Sequence, residues 1–214
     1  MDEIFCLDNF FSAEEMSDID KAIALEEPGK DHVTTHGPFA NKLISNYIVL
    51  KNNKELMLRL TDRISQVMPD KFNIISATRV KLFFPWDIHS DYFKKECSNN
   101  HLPYYNFLIP LDDVDSRTVI FNQITTDDPN FSSYKLHNEP VADSIDEKFW
   151  NENLSMCWAH DRPYVSLRAW LPLQRRGQLL GFPSKYFHSS DNFHTKFSEP
   201  KSFIQIRTEY QPNA

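Results

Sequence analysis

From Ile74 onward the chain is written in short strand-like runs, and its helices come before them rather than between them. The run Ile74 to Phe84 is rich in β-branched and aromatic residues and partly alternates. Tyr104 to Leu111, Arg117 to Gln123, Tyr164 to Leu173, Gln178 to Phe182 and Lys201 to Tyr210 follow. Segments of this kind make a pleated, half-buried surface. A block of strands after a block of helices disfavours a parallel βαβ sheet. The order predicts a mainly β fold, a barrel or sandwich, with N-terminal helices packed on its outside. Ser12-Ala13-Glu14-Glu15 has the form of a capping box, and Met16, Ile19 and Ile23 then make an apolar stripe. A second helix is expected from about Asn53 to Met68, with Leu56, Leu60, Ile64 and Val67 as its stripe and Pro69 as its stop.

Composition narrows the function classes. A chain of 214 residues is expected to be one domain, residues 1–214, with a full-sized core. A hydrophobic fraction of 41% and an aromatic fraction of 14% are globular values and argue against wholesale disorder. No apolar run approaches 18 residues, so no membrane span is expected. The acidic start, Met1-Asp2-Glu3-Ile4, lacks the basic region of a signal peptide. Cys6, Cys97 and Cys157 are odd in number and form no C-x-x-C, which favours a reducing cytoplasm over a disulfide framework. A net charge of −7 makes a nucleic-acid partner unlikely by charge alone. No feature fixes an oligomeric state. Residues 124–163 break the strand pattern and read as an irregular insertion. It is acidic, with eight acidic residues against three basic, and carries one short helix around Ile145 to Glu152. Such insertions serve as solvated surfaces, substrate lids or partner surfaces.

The chemistry sits in two distant segments. His89-Ser90-Asp91 places a His and a carboxylate at i and i+2, which leave the same face of an extended backbone. Gly177 to His188 is an apolar, strand-like run that ends in a lone His. Two His and one carboxylate are the facial triad of non-haem Fe(II) oxygenases, with positions left open on the metal. The chain has 8 His and 30 acidic residues, so about one H-x-[DE] arises by chance, and two occur. The rival, His137-Asn138-Glu139, lies in a polar stretch without a strand to support it. His194 competes with His188 but sits among polar loop residues.

The order of pieces resembles the Fe(II)- and 2-oxoglutarate-dependent oxygenase superfamily, most of all its prolyl-4-hydroxylase-like branch of bacteria and phages. Phe5 to Glu15 is similar to the opening strand and capped helix, and His89-Ser90-Asp91 to the H-x-D. Asn106 to Asp113 is similar to the strand and turn that follow. Arg117-Thr118-Val119-Ile120-Phe121 is similar to the G-G-x-T-x-F strand, without its glycines. Arg176 to Ser184 followed by His188 is similar to the strand, turn and distal ligand. The resemblance implies a double-stranded β-helix, also called a jelly roll and cupin-like. It implies Fe(II) on His89, Asp91 and His188, with 2-oxoglutarate and O2 as co-substrates. The implied reaction hydroxylates a protein residue or a small molecule while 2-oxoglutarate becomes succinate.

The family places a basic residue for the far carboxylate of 2-oxoglutarate on the strand after the distal His. Lys201 and Arg207 both qualify, since Lys201, Phe203, Gln205 and Arg207 share one face by parity. Lys201 stands at the usual place, and Arg207 has the better fork for a carboxylate. The usual Ser two residues later is Phe203 or Glu209 here. Tyr104 and Asn106 are further polar candidates. Two other functions stay open: a binding protein that keeps the jelly-roll shape and a metal, and a differently active cupin-type enzyme.

Overall fold

The capping box forms as written: Ser12 Oγ accepts from the Glu15 amide at 3.2 Å, and the Glu15 carboxylate accepts from the Ser12 amide at 2.7 Å. It launches α1, Ala13–Ala24, which buries Met16 and Ile19. Ser12→Ala is expected to lower stability by about 1 kcal/mol in denaturant melts. An unchanged midpoint would show that the cap contributes nothing. Asn53 caps α2, Lys54–Ser65, by accepting from the Leu56 amide at 3.0 Å. The second helix stops three residues short of the expected Met68. Val67 and Met68 turn back onto the Ile64 carbonyl ahead of Pro69. Met68 is buried in the place expected for Val67, which is 37% exposed.

The computed structural model describes residues 3–26, 28–35, 39–98, 101–125, 140–154, 156–196 and 199–211. Its strands are β1 Phe5–Leu7, β2 Lys30–Val33, β3 Leu43–Val49, β4 Phe72–Leu82, β5 Pro103–Pro110, β6 Thr118–Ile124, β7 Leu167–Trp170, β8 Leu179–Pro183, β9 Tyr186–Ser190 and β10 Lys201–Tyr210. They form two antiparallel sheets, one ordered β1-β8-β5-β10-β4-β3-β2 and the other β7-β6-β9. Three strands lay outside the sequence expectation. β2 and β3 are too mixed in polarity to show a period. β9 carries His188 in its middle, where the sequence had placed it at the end of a run.

Alternation sorts the apolar residues into three layers. Ile204 and Ile206 of β10 face outward with Phe107 and Ile109, and α1 and α2 cover them. Phe203 faces inward with Val80, Leu108, Ile120 and Phe182, and these fill the space between the sheets. Val119, Phe121 and Phe187 form the outer face of the small sheet. What covers that face is the described part of the acidic insertion. It holds α3, Glu147–Asn153, and a 3-10 segment, Met156–Tyr164. Ile145, Trp150 and Leu154 bury themselves there. This part of the insertion is a core layer, not a solvated surface. Residues 126–139, with the rival His137-Asn138-Glu139, lie outside the described residues. Two antiparallel sheets face to face, with helices on the outer side of the larger, make a double-stranded β-helix. No described helix is long and apolar enough to cross a membrane.

Candidate metal centre

After β4 the chain leaves the large sheet and crosses to the small one. It docks there through a two-bond bridge: the His89 amide donates to the His188 carbonyl at 3.1 Å, and the His188 amide to the His89 carbonyl at 2.8 Å. Two backbone hydrogen bonds thus hold together residues 99 positions apart, and their rings sit 4.4 Å centre to centre. Asp91 follows two residues on. One ligand atom from each of His89, Asp91 and His188 lies within 4.8 Å of the others, and among the described residues no other such group of His, Cys, Asp or Glu forms.

Each side chain is aimed. His89 Nδ1 lies 2.7 Å from the Asp87 carbonyl, and His188 Nδ1 lies 3.2 Å from the Tyr186 carbonyl. A carbonyl only accepts, so each ring carries a proton on Nδ1 and turns Nε2 toward the ligand position. Asp91 Oδ2 accepts from Asn106 Nδ2 at 2.8 Å and Gln205 Nε2 at 2.9 Å, and lies 3.3 Å from His188 Nε2. Burial and the neighbouring His188 pull the basicity of His89 down. Burial alone would raise Asp91. The hydrogen bond and charge of His188, with His89 and Arg207, outweigh it and hold the carboxyl below the usual carboxylate range. Metal binding requires a neutral imidazole beside an ionised carboxylate, so the ion takes the place of the proton between His188 Nε2 and Asp91. Two neutral imidazole nitrogens and a carboxylate form a donor set that fits a ferrous ion with open positions.

Gln205 and Asn106 orient the carboxylate and come from β10 and β5 of the opposite sheet. Gln205→Leu is expected to weaken metal binding about tenfold in a titration, with the fold retained. An unchanged affinity would show that Asp91 needs no such support. Alternation on β10 already placed Gln205 between Lys201 and Arg207, so this residue could have been found.

Two cavities meet at the triad. The larger, about 500 Å³, is lined by His89, Asp91, Tyr47, Trp86, Phe93 and Arg207 among others. The smaller, about 30 Å³, lies against His188, His89, Thr118, Lys201 and Phe203. The structure therefore separates the two candidate cations. Lys201 is 2% exposed. Its Nζ donates to Ser116 Oγ at 3.3 Å, and that hydroxyl donates to Asp191 Oδ1 at 2.8 Å. Burial pulls the Lys201 ammonium down to about 8, with Asp191 opposing the shift. Arg207 faces the larger cavity. Its Nε donates to Ser76 Oγ at 2.8 Å, its Nη2 lies 3.1 Å from Glu96, and the guanidinium lies 4.4 Å over the Phe93 ring. Nothing in the sequence singled out Ser116 or Asp191.

Other candidates go elsewhere. The Tyr104 hydroxyl donates to Asp70 at 2.6 Å and lines neither cavity. His194 packs against Phe39 and Phe84. Arg175 and Arg176 pair with Asp115 and Asp20 on the surface. Trp86 lines the larger cavity, whereas Trp170 meets Phe149 edge to face behind the small sheet.

No family model matches the chain, and no curated protein matches it in sequence. Solved structures do match in shape. The non-heme alpha ketoglutarate dependent epimerase SnoN from nogalamycin biosynthesis superposes with a TM-score of 0.63 at 14% identity, over 99% of this chain and 82% of that one. The carbocyclase SnoK from the same biosynthesis gives 0.59 at 11% identity, over 100% and 83%. HygX from Streptomyces hygroscopicus, with nickel, 2-oxoglutarate and hygromycin B bound, gives 0.55 at 11% identity, over 98% and 84%. At such identities the likeness establishes the jelly-roll fold.

Proposed function

We propose that the chain belongs to the Fe(II)- and 2-oxoglutarate-dependent oxygenase superfamily, in its prolyl-4-hydroxylase-like branch, and hydroxylates a small molecule or a protein residue. The observation that carries this reading is the aimed triad, two Nε2 atoms and one carboxylate converging from the bridge between the sheets. The fold shared with SnoN, SnoK and HygX supports it. His89, Asp91 and His188 would hold the iron. Bound there, iron and 2-oxoglutarate supply, with O2, a decarboxylation to succinate and the oxidising power for the substrate.

The chain's own residues do the rest. The carbonyls of Asp87 and Tyr186 hold the imidazole protons on Nδ1. Asn106 and Gln205 keep Asp91 oriented. Trp86 and Phe93 keep the approach to the triad apolar, which limits water there. Lys201, on the His188 side, is the residue we assign to the far carboxylate of 2-oxoglutarate. Its cavity has room for roughly one water, so a five-carbon dicarboxylate enters only as side chains move, the flexible Lys201 stem first.

Anaerobic titration tests the reading. Fe(II) followed by 2-oxoglutarate is expected to give a visible charge-transfer band that needs both additions, and air is then expected to release succinate. Iron binding without the band would remove the co-substrate and leave a cupin-type metalloprotein. No iron binding at all would sink the whole assignment.

A further inference from the structure

We propose that the larger cavity is a binding site for a monoanionic substrate, a carboxylate on a planar or apolar body, with Arg207 as its anchor. The word substrate rests on the oxygenase reading above; the anion site itself rests on Arg207 and its surroundings. A cavity of about 500 Å³ falls within the usual size of small-molecule sites. Tyr47, Trp86, Phe93, Val49 and Val80 line it. Aromatic and aliphatic walls of this kind accept a flat or apolar body.

Arg207 is the polar anchor. Two contacts fix the plane of its guanidinium, the Ser76 hydroxyl on Nε and the Phe93 face. Its side chain is 20% exposed, and its two terminal nitrogens face the Glu96 carboxylate, which is 44% exposed at the rim. An ion pair with so exposed a partner contributes little, and a better-seated carboxylate can replace it. The guanidinium fork matches a carboxylate with two parallel bonds. One cation stands here among Asp87, Asp91 and Glu96, so a single carboxylate is accepted by taking the place of Glu96 on the guanidinium, whereas the second charge of a dianion such as a phosphate monoester has no cation to meet it. Arg207 lies two residues along β10 from Gln205, the donor to Asp91. That separation sets the Arg207 backbone about 7 Å along the strand from that of Gln205, whose side chain reaches Asp91. One strand thereby presents two cations to opposite sides of the same centre, Lys201 for the co-substrate and Arg207 for the substrate.

The probes are 3-phenylpropionate and its neutral amide, titrated calorimetrically into the full-length protein. The carboxylate is expected to bind at least about tenfold tighter than the amide. That preference is expected to vanish in Arg207→Gln and to survive in His188→Ala and Lys201→Gln. Glu96→Gln, a change at the rim that leaves the core untouched, is expected to tighten carboxylate binding several-fold by freeing the fork. Equal binding of acid and amide overturns the proposal, as does a preference that persists in Arg207→Gln. A preference lost only in His188→Ala or Lys201→Gln would put the anion on the metal side or the co-substrate side and overturn it too. Looser or unchanged binding in Glu96→Gln would mean that Arg207 serves only its ion pair. Because the His188→Ala arm is read without iron turnover, the anion site can fail while the oxygenase reading stands, and the reverse.

Discussion

His188→Ala is expected to weaken Fe(II) binding by at least about 100-fold, since changing even a residue that only orients a ligand costs about 10- to 100-fold. The charge-transfer band and succinate release should vanish with it. The reason is more than the loss of one donor. His188 Nε2 lies 3.3 Å from Asp91 Oδ2, and its ring packs on Phe182 at 4.8 Å and on His89 at 4.4 Å. Its removal leaves Asp91 buried with two amide donors and less positive charge nearby, so the carboxyl moves up toward its ordinary range. The backbone bridge between residues 89 and 188 does not depend on the side chain. The fold should therefore persist, and far-UV circular dichroism with a thermal melt checks that it does. A variant that stays folded and still binds iron at near wild-type strength would remove His188 from the centre.

The parts of this site differ in how plainly the sequence announced them. Lys201, Phe203, Gln205 and Arg207 were placed on one face by strict alternation, and the ladder holds that alternation up to Arg207. Beyond it both neighbouring strands shift register, and Thr208 and Glu209 are both buried. A bulge breaks period two, and nothing in the Arg207-Thr208-Glu209 sequence marks one. The H-x-D was legible because two residues at i and i+2 form a local pattern. The bridge that joins His89 to His188 was not, since it is made by backbone atoms and leaves no residue preference. The insertion misled for another reason. Asp143, Asp146, Glu147 and Glu152 are exposed on a layer whose inner side, Ile145, Trp150 and Leu154, is too sparse to show a period. Tyr104, a weaker candidate by parity, turns to Asp70 instead, because strand parity says which face a residue takes but not how far along the barrel it lies.

Lys201→Met is expected to move stability and co-substrate binding in opposite directions. The folded protein holds this ammonium in a site 2% exposed, with its basicity pulled from 10.5 to about 8. The sign follows from proton counting. Between pH 8 and 10.5 the unfolded chain binds this proton and the folded chain does not, so the Lys201 contribution to stability rises with pH across that window. Below pH 8 the full penalty applies. At about 1.4 kcal/mol per pH unit it is about 3 kcal/mol. Methionine is apolar and of similar length, so the variant should be more stable at pH 7 by up to that amount. Asp191, 1% exposed and left with the Ser116 hydroxyl, takes back part of the gain. Wild type and variant are expected to converge in melting temperature as pH rises from 8 to 10.5. Over the same range the affinity of wild type for 2-oxoglutarate should fall as the free ammonium is lost, while the variant binds 2-oxoglutarate at least about 100-fold more weakly at pH 7. A residue that only filled space would show neither the converging melts nor the loss of ligand. A stabilised variant that binds 2-oxoglutarate normally would transfer the co-substrate carboxylate to Arg207, and with it would fall the division of labour between the two cations of β10.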